Sequence, residues 1–340
     1  MEALTDALDR HLRRTPSLSI VLNPNAGRVR KRMARRAHVE TPLDPAELNP
    51  RLHLTGSLAE LDALFAAVRF DASQTLCFYG GDGSIARGLS AMLNRLGEDA
   101  SLPTILPVAA GTINVMSEYL GLSEPPSETL GRMSEDGELV RRSIPSIKIE
   151  VEGQAPIYGF MFGWGVIYRV LESYYARRDH PTIADATMVM AQTFGQAVLP
   201  NATEMPLFSR HNLDLVVDGR ALGPDQPGLH SLIVGVLERS TMGLRALPPE
   251  PVAAGRFHFS GNGMRPGAVF RHSLTLLFGQ GDQRELAAEH PLVAEANVRE
   301  LRLALSEGYT LDGEMIAVEG ARACAISAGP TIAFWAAAEE

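Results

Sequence analysis

The sequence predicts an α/β fold, with a doubly wound parallel sheet in a first domain and a β-rich, sandwich-like second domain that carries a helical insertion. In the first third of the 340 residues, short apolar runs alternate with segments of helical periodicity, as parallel βα units require. From about Gly121 onward, short strand-like runs are separated by Gly, Pro and Asp, which favours antiparallel strands. We therefore place the first domain at residues 1–142, completed by about 320–340, and the second at residues 143–319.

The strands of the first domain are predicted where short apolar runs occur, at residues 17–22, 52–55, 75–79 and 103–108. Helices fill the gaps between them. Ser57 to Glu60 form a capping-box pattern, in which a serine and a glutamate three residues later satisfy N–H groups at a helix start. Ile85, Leu89 and Met92 repeat at helical spacing after the third strand.

The second domain is predicted to consist mainly of short strands, at residues 147–151, 157–162, 213–217, 232–237, 257–259, 274–278, 298–305 and 315–318. One more strand is predicted after it, at 324–327. A helical insertion is predicted at about 166–198. The apolar tail at 332–335 is expected to return to the first domain.

Composition limits the class of protein. The 31 Lys and Arg against 40 Asp and Glu give a net charge of -9, which argues against nucleic acid as a partner because such binding needs a basic surface. Cys77 and Cys324 are the only cysteines and lie in apolar runs, so we expect buried thiols in a reducing compartment. No apolar run approaches the roughly 18 residues of a spanning helix, and the acidic N-terminus lacks the pattern of a leader. We expect a cytoplasmic protein that is soluble or, at most, peripheral at the inner membrane surface.

The most informative motif is an acidic, glycine-rich turn at Tyr79 to Ser84. It follows an apolar run and precedes an amphipathic segment, so it joins a strand to a helix. Such turns normally bind phosphate through bare backbone N–H groups and the positive helix end. The carboxylate of Asp82 opposes phosphate binding unless it has another task. We assign it the removal of a proton from a hydroxyl beside a bound phosphate, at an ordinary aspartate pKa of about 3.9. Metal binding is the close alternative.

Two further turns fall at the ends of predicted strands, where open α/β sheets bind ligands. The Asn-Pro-Asn-Ala-Gly turn at residues 23–27 offers N–H groups and amide side chains to a nucleotide, and an ordinary turn explains it equally well. In the turn at 109–114, Gly111 permits close backbone approach, and Thr112 and Asn114 can contact phosphate. On its own, this second turn is better explained as a simple helix cap.

Two carboxylates flank a glycine at Asp312, Gly313 and Glu314. Paired acids can hold Mg²⁺ or orient a hydroxyl, but Asp-Gly is also a common turn. The same tripeptide occurs at residues 136–138, in a polar linker where a solvated turn is the better explanation. Only position distinguishes the two copies.

Together, four motifs resemble those of the diacylglycerol kinase catalytic-domain family. They are Asn-Pro-x-x-Gly at 23–27, Gly-Gly-Asp-Gly-Ser at 80–84, Gly-Thr-x-Asn at 111–114 and Asp-Gly-Glu at 312–314. That family includes soluble bacterial lipid kinases and sphingosine and ceramide kinases. The resemblance implies an α/β nucleotide-binding domain and a β-rich lipid-substrate domain. It also implies transfer of the γ-phosphate of ATP, with Mg²⁺, to a hydroxyl of a lipid alcohol such as diacylglycerol, ceramide or a sphingoid base.

The resemblance implies residue roles as well. Asp82, Asp312 and Glu314 would be catalytic, and any of the three could hold the metal. The implied nucleotide-binding residues are Asn23, Asn25, Gly27, Arg28, Thr55, Gly80, Gly81, Gly83, Ser84, Gly111, Thr112 and Asn114. Ser84 stands where Thr is more usual, which keeps the hydroxyl. Val115 stands where many bacterial members carry Asp, so an acid role at that position is not expected.

Two stretches are open to more than one interpretation. The basic run at residues 28–36 is interpreted as a contact for ATP phosphates through Arg28 and Lys31, as a docking face for anionic lipid, or as a solvated helix face. The apolar segment 160–166 is a candidate wall for lipid chains, although plain core explains it better. The partners we expect are a lipid substrate and, transiently, a membrane surface.

Other functions are left open by the residues. An NAD-kinase-like small-molecule kinase would share the Gly-Gly-Asp-Gly turn, although no second dinucleotide-recognition motif is evident. A dehydrogenase fits loosely, because Asp82 lies where pyrophosphate would. A non-catalytic lipid- or nucleotide-binding protein of the same fold is disfavoured, because binding alone gains little from an acid beside phosphate.

Overall fold

A computed structural model describes residues 2–27, 29, 49–111, 114–134, 138–177, 183–222, 228–238, 245–273, 275, 286 and 289–338. The chain divides into two compact units. Unit 1 comprises Met1–Ile144 and Thr331–Glu340, and unit 2 comprises Pro145–Pro330. The predicted fold class, an α/β parallel-sheet domain with a second β-rich domain, is confirmed.

Unit 1 alternates strands and helices. Its elements are α1 (Glu2–Arg14), β1 (Leu18–Leu22), β2 (Leu52–Leu54), α2 (Leu58–Ala67), β3 (Thr75–Gly80), α3 (Asp82–Leu96), β4 (Thr104–Ala109), α4 (Val115–Tyr119) and α5 (Pro126–Ser134). Every residue of β1, β3 and β4 is buried, as in parallel strands that are covered on both faces. Helix α3 packs closely on β3 at Gly88, where a side chain would not fit. A Cβ at that position would lie 2.3 Å from the Phe78 ring.

The sheet of unit 1 has the strand order β2-β1-β3-β4, with all neighbours parallel. The chain runs from β1 to β2 on one side and then to β3 on the other side of β1. The strand order therefore reverses between β1 and β3, and the crevice at the carboxyl ends of such strands is where open α/β sheets bind ligands.

Unit 2 is rich in strands. From the strand that enters it, its elements are β5 (Leu139–Val151), β6 (Ile157–Gly159), β7 (Met161–Gly165), α6 (Val166–Tyr175), α7 (Ile183–Ala197), β8 (Val216–Val217), β9 (Arg220–Ala221), β10 (Ser231–Gly235), β11 (Phe257–Asn262), α8 (Pro266–Arg271), β12 (Leu292–Val298), β13 (Glu300–Leu305), β14 (Tyr309–Leu311) and β15 (Glu314–Ile316). The last strand, β16 (Arg322–Ala337), begins in unit 2 and ends in unit 1. In unit 1, Phe334 of β16 pairs in parallel with Ile105 of β4.

One sheet of unit 2 has the order β12-β11-β10-β7-β14-β15, with antiparallel neighbours. Phe160, Phe162 and Trp164, which belong to the candidate lipid wall, are at most 1% exposed. The Phe162 ring stacks on Tyr309 with centroids 5.2 Å apart. These aromatic side chains are therefore core, as the plainer interpretation of this segment proposed.

Some predicted element boundaries were wrong. The stretch 298–305 is the end of β12 followed by β13, because the chain leaves one set of strand partners at Arg299 and joins another. Strand β16 is longer than predicted and runs through Gly329 and Pro330, two residues that usually interrupt strands. The predicted strand 213–217 is reduced to Val216–Val217, and most of the one predicted at 274–278 lies outside the described residues.

Candidate active site

The acidic turn forms the start of α3. Gly81 is the N-cap residue, and it has no side chain that could cap the first N–H groups of the helix. The start of this 15-residue helix, at the carboxyl end of β3, therefore has no cap from its N-cap residue.

The carboxylate of Asp82, the first residue of α3, binds the start of another helix. The side chain is 7% exposed. Its Oδ2 accepts from the N–H of Val115 at 2.8 Å, and its Oδ1 accepts from the N–H of Met116 at 2.9 Å. Because Asn114, the N-cap of α4, makes no side-chain cap of its own, Asp82 performs that task. It thereby joins the turn after β3 to the turn after β4.

Burial raises the pKa of Asp82 from 3.8 to about 6. The N–H groups that point at the carboxylate, including those of Met116 and Val115, lower the pKa, but the loss of hydration outweighs them. The expectation of an ordinary aspartate pKa near 3.9 was therefore wrong, because the sequence does not show this burial. At neutral pH the carboxylate is still mostly ionised, and it is a stronger base than an exposed aspartate.

Two glycines allow the turns after β3 and β4 to touch. A Cβ at Gly111 would lie 2.6 Å from the Cα of Gly81. The side chain of Asn114, which has the left-handed φ of 60°, holds this turn from the other side. Its Oδ1 accepts from the Gly111 N–H at 2.7 Å, and its Nδ2 donates to the Gly111 carbonyl at 3.1 Å.

The turn after β1 joins the same edge of the sheet. Asn23 Nδ2 donates to Ser84 Oγ at 3.2 Å, and Asn23 Oδ1 accepts from the Asn25 N–H at 2.9 Å. Asn25 Nδ2 donates in turn to the Gly56 carbonyl at 2.8 Å. Thr55, which is buried, donates its N–H to Leu22 at the end of β1. The ends of β1, β2, β3 and β4 are therefore linked by direct hydrogen bonds.

The unit 1 residues that were predicted to bind nucleotide gather at this edge. Those placed there are Asn23, Asn25, Thr55, Gly80, Gly81, Gly83, Ser84, Gly111 and Asn114, with Gly27 directly after the first turn. Arg28 and Thr112 lie outside the described residues, as do the other basic residues of the run 28–36. Their roles stay predictions.

The Asp-Gly-Glu motif forms a hairpin turn in unit 2. Asp312 and Gly313 have φ angles of 50° and 82°, as a two-residue hairpin between β14 and β15 requires. Asp312 Oδ1 accepts from the N–H groups of Phe160 and Met161 at 3.0 and 2.8 Å. The buried Asp312 carboxylate thus holds the junction of β6 and β7, while Glu314 is only partly buried. The catalytic roles of Asp312 and Glu314 stay predictions.

The residues that the structure describes contain no cluster of three or more His, Cys, Asp or Glu that could hold a metal by themselves. Of the repeated tripeptide at 136–138, only Glu138 is described.

Sequence reasoning missed two supporting contacts. Glu60 Oε2 accepts from the Gly56 N–H at 2.6 Å, while Ser57 Oγ accepts from the Glu60 N–H at 3.2 Å. The Ser57 half of the predicted capping box is confirmed, whereas Glu60 binds the N–H of Gly56 and not that of the N-cap Ser57. Glu60 thereby fixes the residue that Asn25 binds. In unit 2, the hydroxyl of Tyr175 donates to the Gly313 carbonyl at 3.3 Å. No local pattern indicates that second contact.

The chain is thus a two-unit protein, with an α/β parallel-sheet unit and a second, β-rich unit. Residues 17–141 match the family described as "Diacylglycerol kinase catalytic domain". The resemblance that the motifs indicated is thereby confirmed for this segment.

Solved structures of similar fold come from Bacillus anthracis. One is a diacylglycerol kinase with 14% sequence identity and a TM-score of 0.55, and the match covers 94% of this chain and 96% of that one. Another, named as a candidate diacylglycerol kinase, has 16% identity and a TM-score of 0.58, with 94% and 96% covered. Because the sequence identities are this low, the similarity to these structures shows a shared fold only. Among curated protein sequences, no relative matches the chain.

Proposed function

We propose that the protein is an ATP-dependent lipid kinase, which transfers the γ-phosphate to a hydroxyl of a lipid alcohol with Mg²⁺ as cofactor. The observation that carries the proposal is the position of Asp82. Its buried carboxylate lies at the N-terminus of α3, where the turns after β3 and β4 touch. A phosphate bound by that helix end would lie beside a base that is ionised at neutral pH.

The chain offers neutral groups with which to bind and orient phosphate. The first backbone N–H groups of α3, which Gly81 does not cap, can bind a phosphate oxygen. The Ser84 hydroxyl oxygen accepts from Asn23, so its own hydrogen is available for a phosphate oxygen. Such positioning supplies much of the rate in phosphoryl transfer.

Asp82 is the proposed base. Its carboxylate accepts from the N–H groups of Val115 and Met116, and its pKa of about 6 makes it a stronger base than an exposed aspartate. As the acceptor oxygen forms its bond to phosphorus, Asp82 takes the hydroxyl proton and the bond between the γ-phosphorus and the β,γ-bridging oxygen breaks. The products are a lipid phosphate monoester and ADP.

The carboxylates present suit a Mg²⁺ ion that substrate phosphates help to hold better than a metal that protein side chains hold alone. Mg²⁺ is usually held by one or two carboxylates together with substrate phosphates. When bound, it neutralises phosphate charge. Metal binding by Asp82 is the alternative to its role as base, and Glu314 stays a candidate ligand. We assign Asp312 a positioning role, because its carboxylate holds the junction of β6 and β7.

The test is phosphate transfer from labelled ATP with Mg²⁺ to a panel of lipid alcohols, with NAD as an additional acceptor. Asp82→Asn should lower turnover by at least about 100-fold, while nucleotide affinity changes little. Asp218→Asn is the matched control, because Asp218 also accepts two backbone N–H groups but is exposed. An active Asp82→Asn enzyme would refute the base assignment. Transfer to NAD alone would favour the small-molecule kinase, and no transfer to any lipid would refute the lipid-kinase proposal.

A further inference from the structure

Helix α7 presents an uncharged face to solvent. The helix contains no Lys, Arg or Glu, and its one acid, Asp185, is buried. No charged residue occurs in the sequence between Asp185 and Glu204. A surface helix of a soluble protein normally carries charged residues on its outer face, so this face is unusual.

Several large apolar side chains are exposed on this face and beside it. We define the α7 face as Met188, Ala191, Gly195, Val198, Leu199 and Phe270. Met188 and Val198 are 52% and 53% exposed, and Leu199 and Phe270 are each 45% exposed. Phe270 belongs to α8, and its ring contacts Phe194 of α7 edge-on at 5.9 Å. Exposed apolar side chains that cluster in this way mark sites of interaction.

Arginines flank the α7 face. The exposed Arg177 donates to Met188 Sδ at 3.1 Å and to Gln192 Oε1 at 2.7 Å, so its guanidinium lies directly beside the face. Arg271, also exposed, follows Phe270. Apolar groups that insert between acyl chains, with cations at their border, match the surface of an anionic phospholipid bilayer.

Helix α6, which packs against α7, adjoins the hairpin that carries Asp312 and Glu314. Tyr175, two residues before Arg177, donates its hydroxyl to the Gly313 carbonyl. The helices and this hairpin all belong to unit 2.

We propose that the α7 face docks on an anionic phospholipid bilayer and brings the enzyme to an acceptor lipid dissolved there. This inference rests on the proposed function for the identity of the acceptor, but the docking itself does not require catalysis.

The test is sedimentation of the full chain with vesicles of phosphatidylglycerol and phosphatidylcholine, without nucleotide or acceptor lipid. The triple variant Met188→Gln, Leu199→Gln and Phe270→Gln should bind the vesicles at least about tenfold more weakly, because each change removes apolar area that the bilayer would cover. Leu58→Gln is the matched control, because Leu58 is 52% exposed on α2 of unit 1. It should bind as the unaltered chain does. Charge reversal at Arg177 and Arg271 should weaken binding to anionic vesicles more than to pure phosphatidylcholine.

Unchanged binding by the triple variant would overturn the proposal, as would an unaltered chain that binds no vesicles. Thermal unfolding of each variant shows whether the fold is kept. Analytical ultracentrifugation tests the other occupant, a second copy of the chain. Self-association that the triple variant abolishes, without vesicle binding, would make the α7 face an interface between copies. If vesicles are bound but no lipid is phosphorylated, the docking proposal stands and the proposed function fails.

Discussion

Asp82 combines two properties that usually exclude each other, burial and a negative charge. The pKa of about 6, against 3.8 for an exposed aspartate, corresponds to a cost of roughly 3 kcal/mol for holding this carboxylate ionised. The two N–H groups of Val115 and Met116 already reduce that cost. A structural cap alone could be made by Ser, Thr or Asn without this cost. The persistent charge is therefore better explained by chemistry at this position than by capping alone.

The raised pKa of Asp82 predicts the pH at which activity is lost. Because the base must be ionised, kcat/KM should fall as the pH drops through about 6, by about tenfold per pH unit below it. Nucleotide affinity measured over the same range serves as the control, and it should vary less. An activity limb near pH 4 would show that the base is either an exposed acid or a residue other than Asp82.

Gly111 predicts a second effect at the scale of one residue. Its Cβ in Gly111→Ala would lie 2.6 Å from the Cα of Gly81, and backbone cannot move away as a flexible side chain can. We expect a loss of about 1–3 kcal/mol in stability from this overpacking and at least about tenfold weaker nucleotide binding.

The matched control for that change is Gly131→Ala in α5, where a Cβ meets nothing within 4 Å. This control should be neutral, or stabilising by up to about 1 kcal/mol, because alanine favours a helix. Urea unfolding and nucleotide titration measure both variants. If the two behave alike, the contact between the turns after β3 and β4 is not formed in solution.

At the scale of elements, two hairpins use the same device in different surroundings. Asp312 and Asp218 each precede a glycine at positive φ, and each carboxylate accepts two backbone N–H groups from another segment. Asp312 is buried, whereas Asp218 is exposed. Water can replace the lost partner only at the exposed turn.

Alanine substitution should therefore separate the two hairpins. Asp312→Ala leaves the N–H groups of Phe160 and Met161 without their acceptor, at about 2–4 kcal/mol. Both variants place alanine at a positive φ and therefore share the same backbone strain. Because water can replace the lost acceptor at the exposed turn, Asp218→Ala should cost about 1–2 kcal/mol less than Asp312→Ala. The difference between their free energies of unfolding in urea is the measured quantity. Equal losses would mean that burial of Asp312 adds nothing.

The strand–turn–helix order around Asp82 could be predicted from the sequence, because each strand is a short apolar run and each turn carries glycine or asparagine. The Ser57 cap of α2 was predictable for the same reason, since Ser57 and Glu60 are local partners. Nothing local indicates that Asp82 accepts from Val115 and Met116, or that Asp312 accepts from Phe160, because those contacts depend on tertiary packing. The length of β16 was missed because Gly329 and Pro330 locally oppose a strand that its partners in the sheets support.

At the scale of the whole molecule, the chain enters unit 1 twice, at residues 1–144 and again at 331–340. The second entry supplies the strand beside β4, where Phe334 is fully buried. Without it, β4 would end the sheet with unpaired N–H and carbonyl groups. Unit 1 is thus complete only when the end of β16 is in place. The chain has two tryptophans, and they fall in different units, Trp335 in unit 1 and Trp164 in unit 2.

This division of the tryptophans makes the role of β16 measurable. In a Trp164→Phe background, Trp335 is the only tryptophan, and its indole N–H donates to Thr75 Oγ1 of β3 at 3.0 Å, so its fluorescence reports unit 1. Phe334→Ala should lower the free energy of unfolding seen by Trp335 by about 3–5 kcal/mol, the usual cost of removing a buried phenyl ring. Thr331→Ala, at an exposed position of the same strand, should change it by less than about 0.5 kcal/mol. If Phe334→Ala left the Trp335 transition where it was, the end of β16 would not belong to the folded sheet of unit 1. A loss confined to Phe334→Ala would instead show that the first sheet depends on the last strand of the chain.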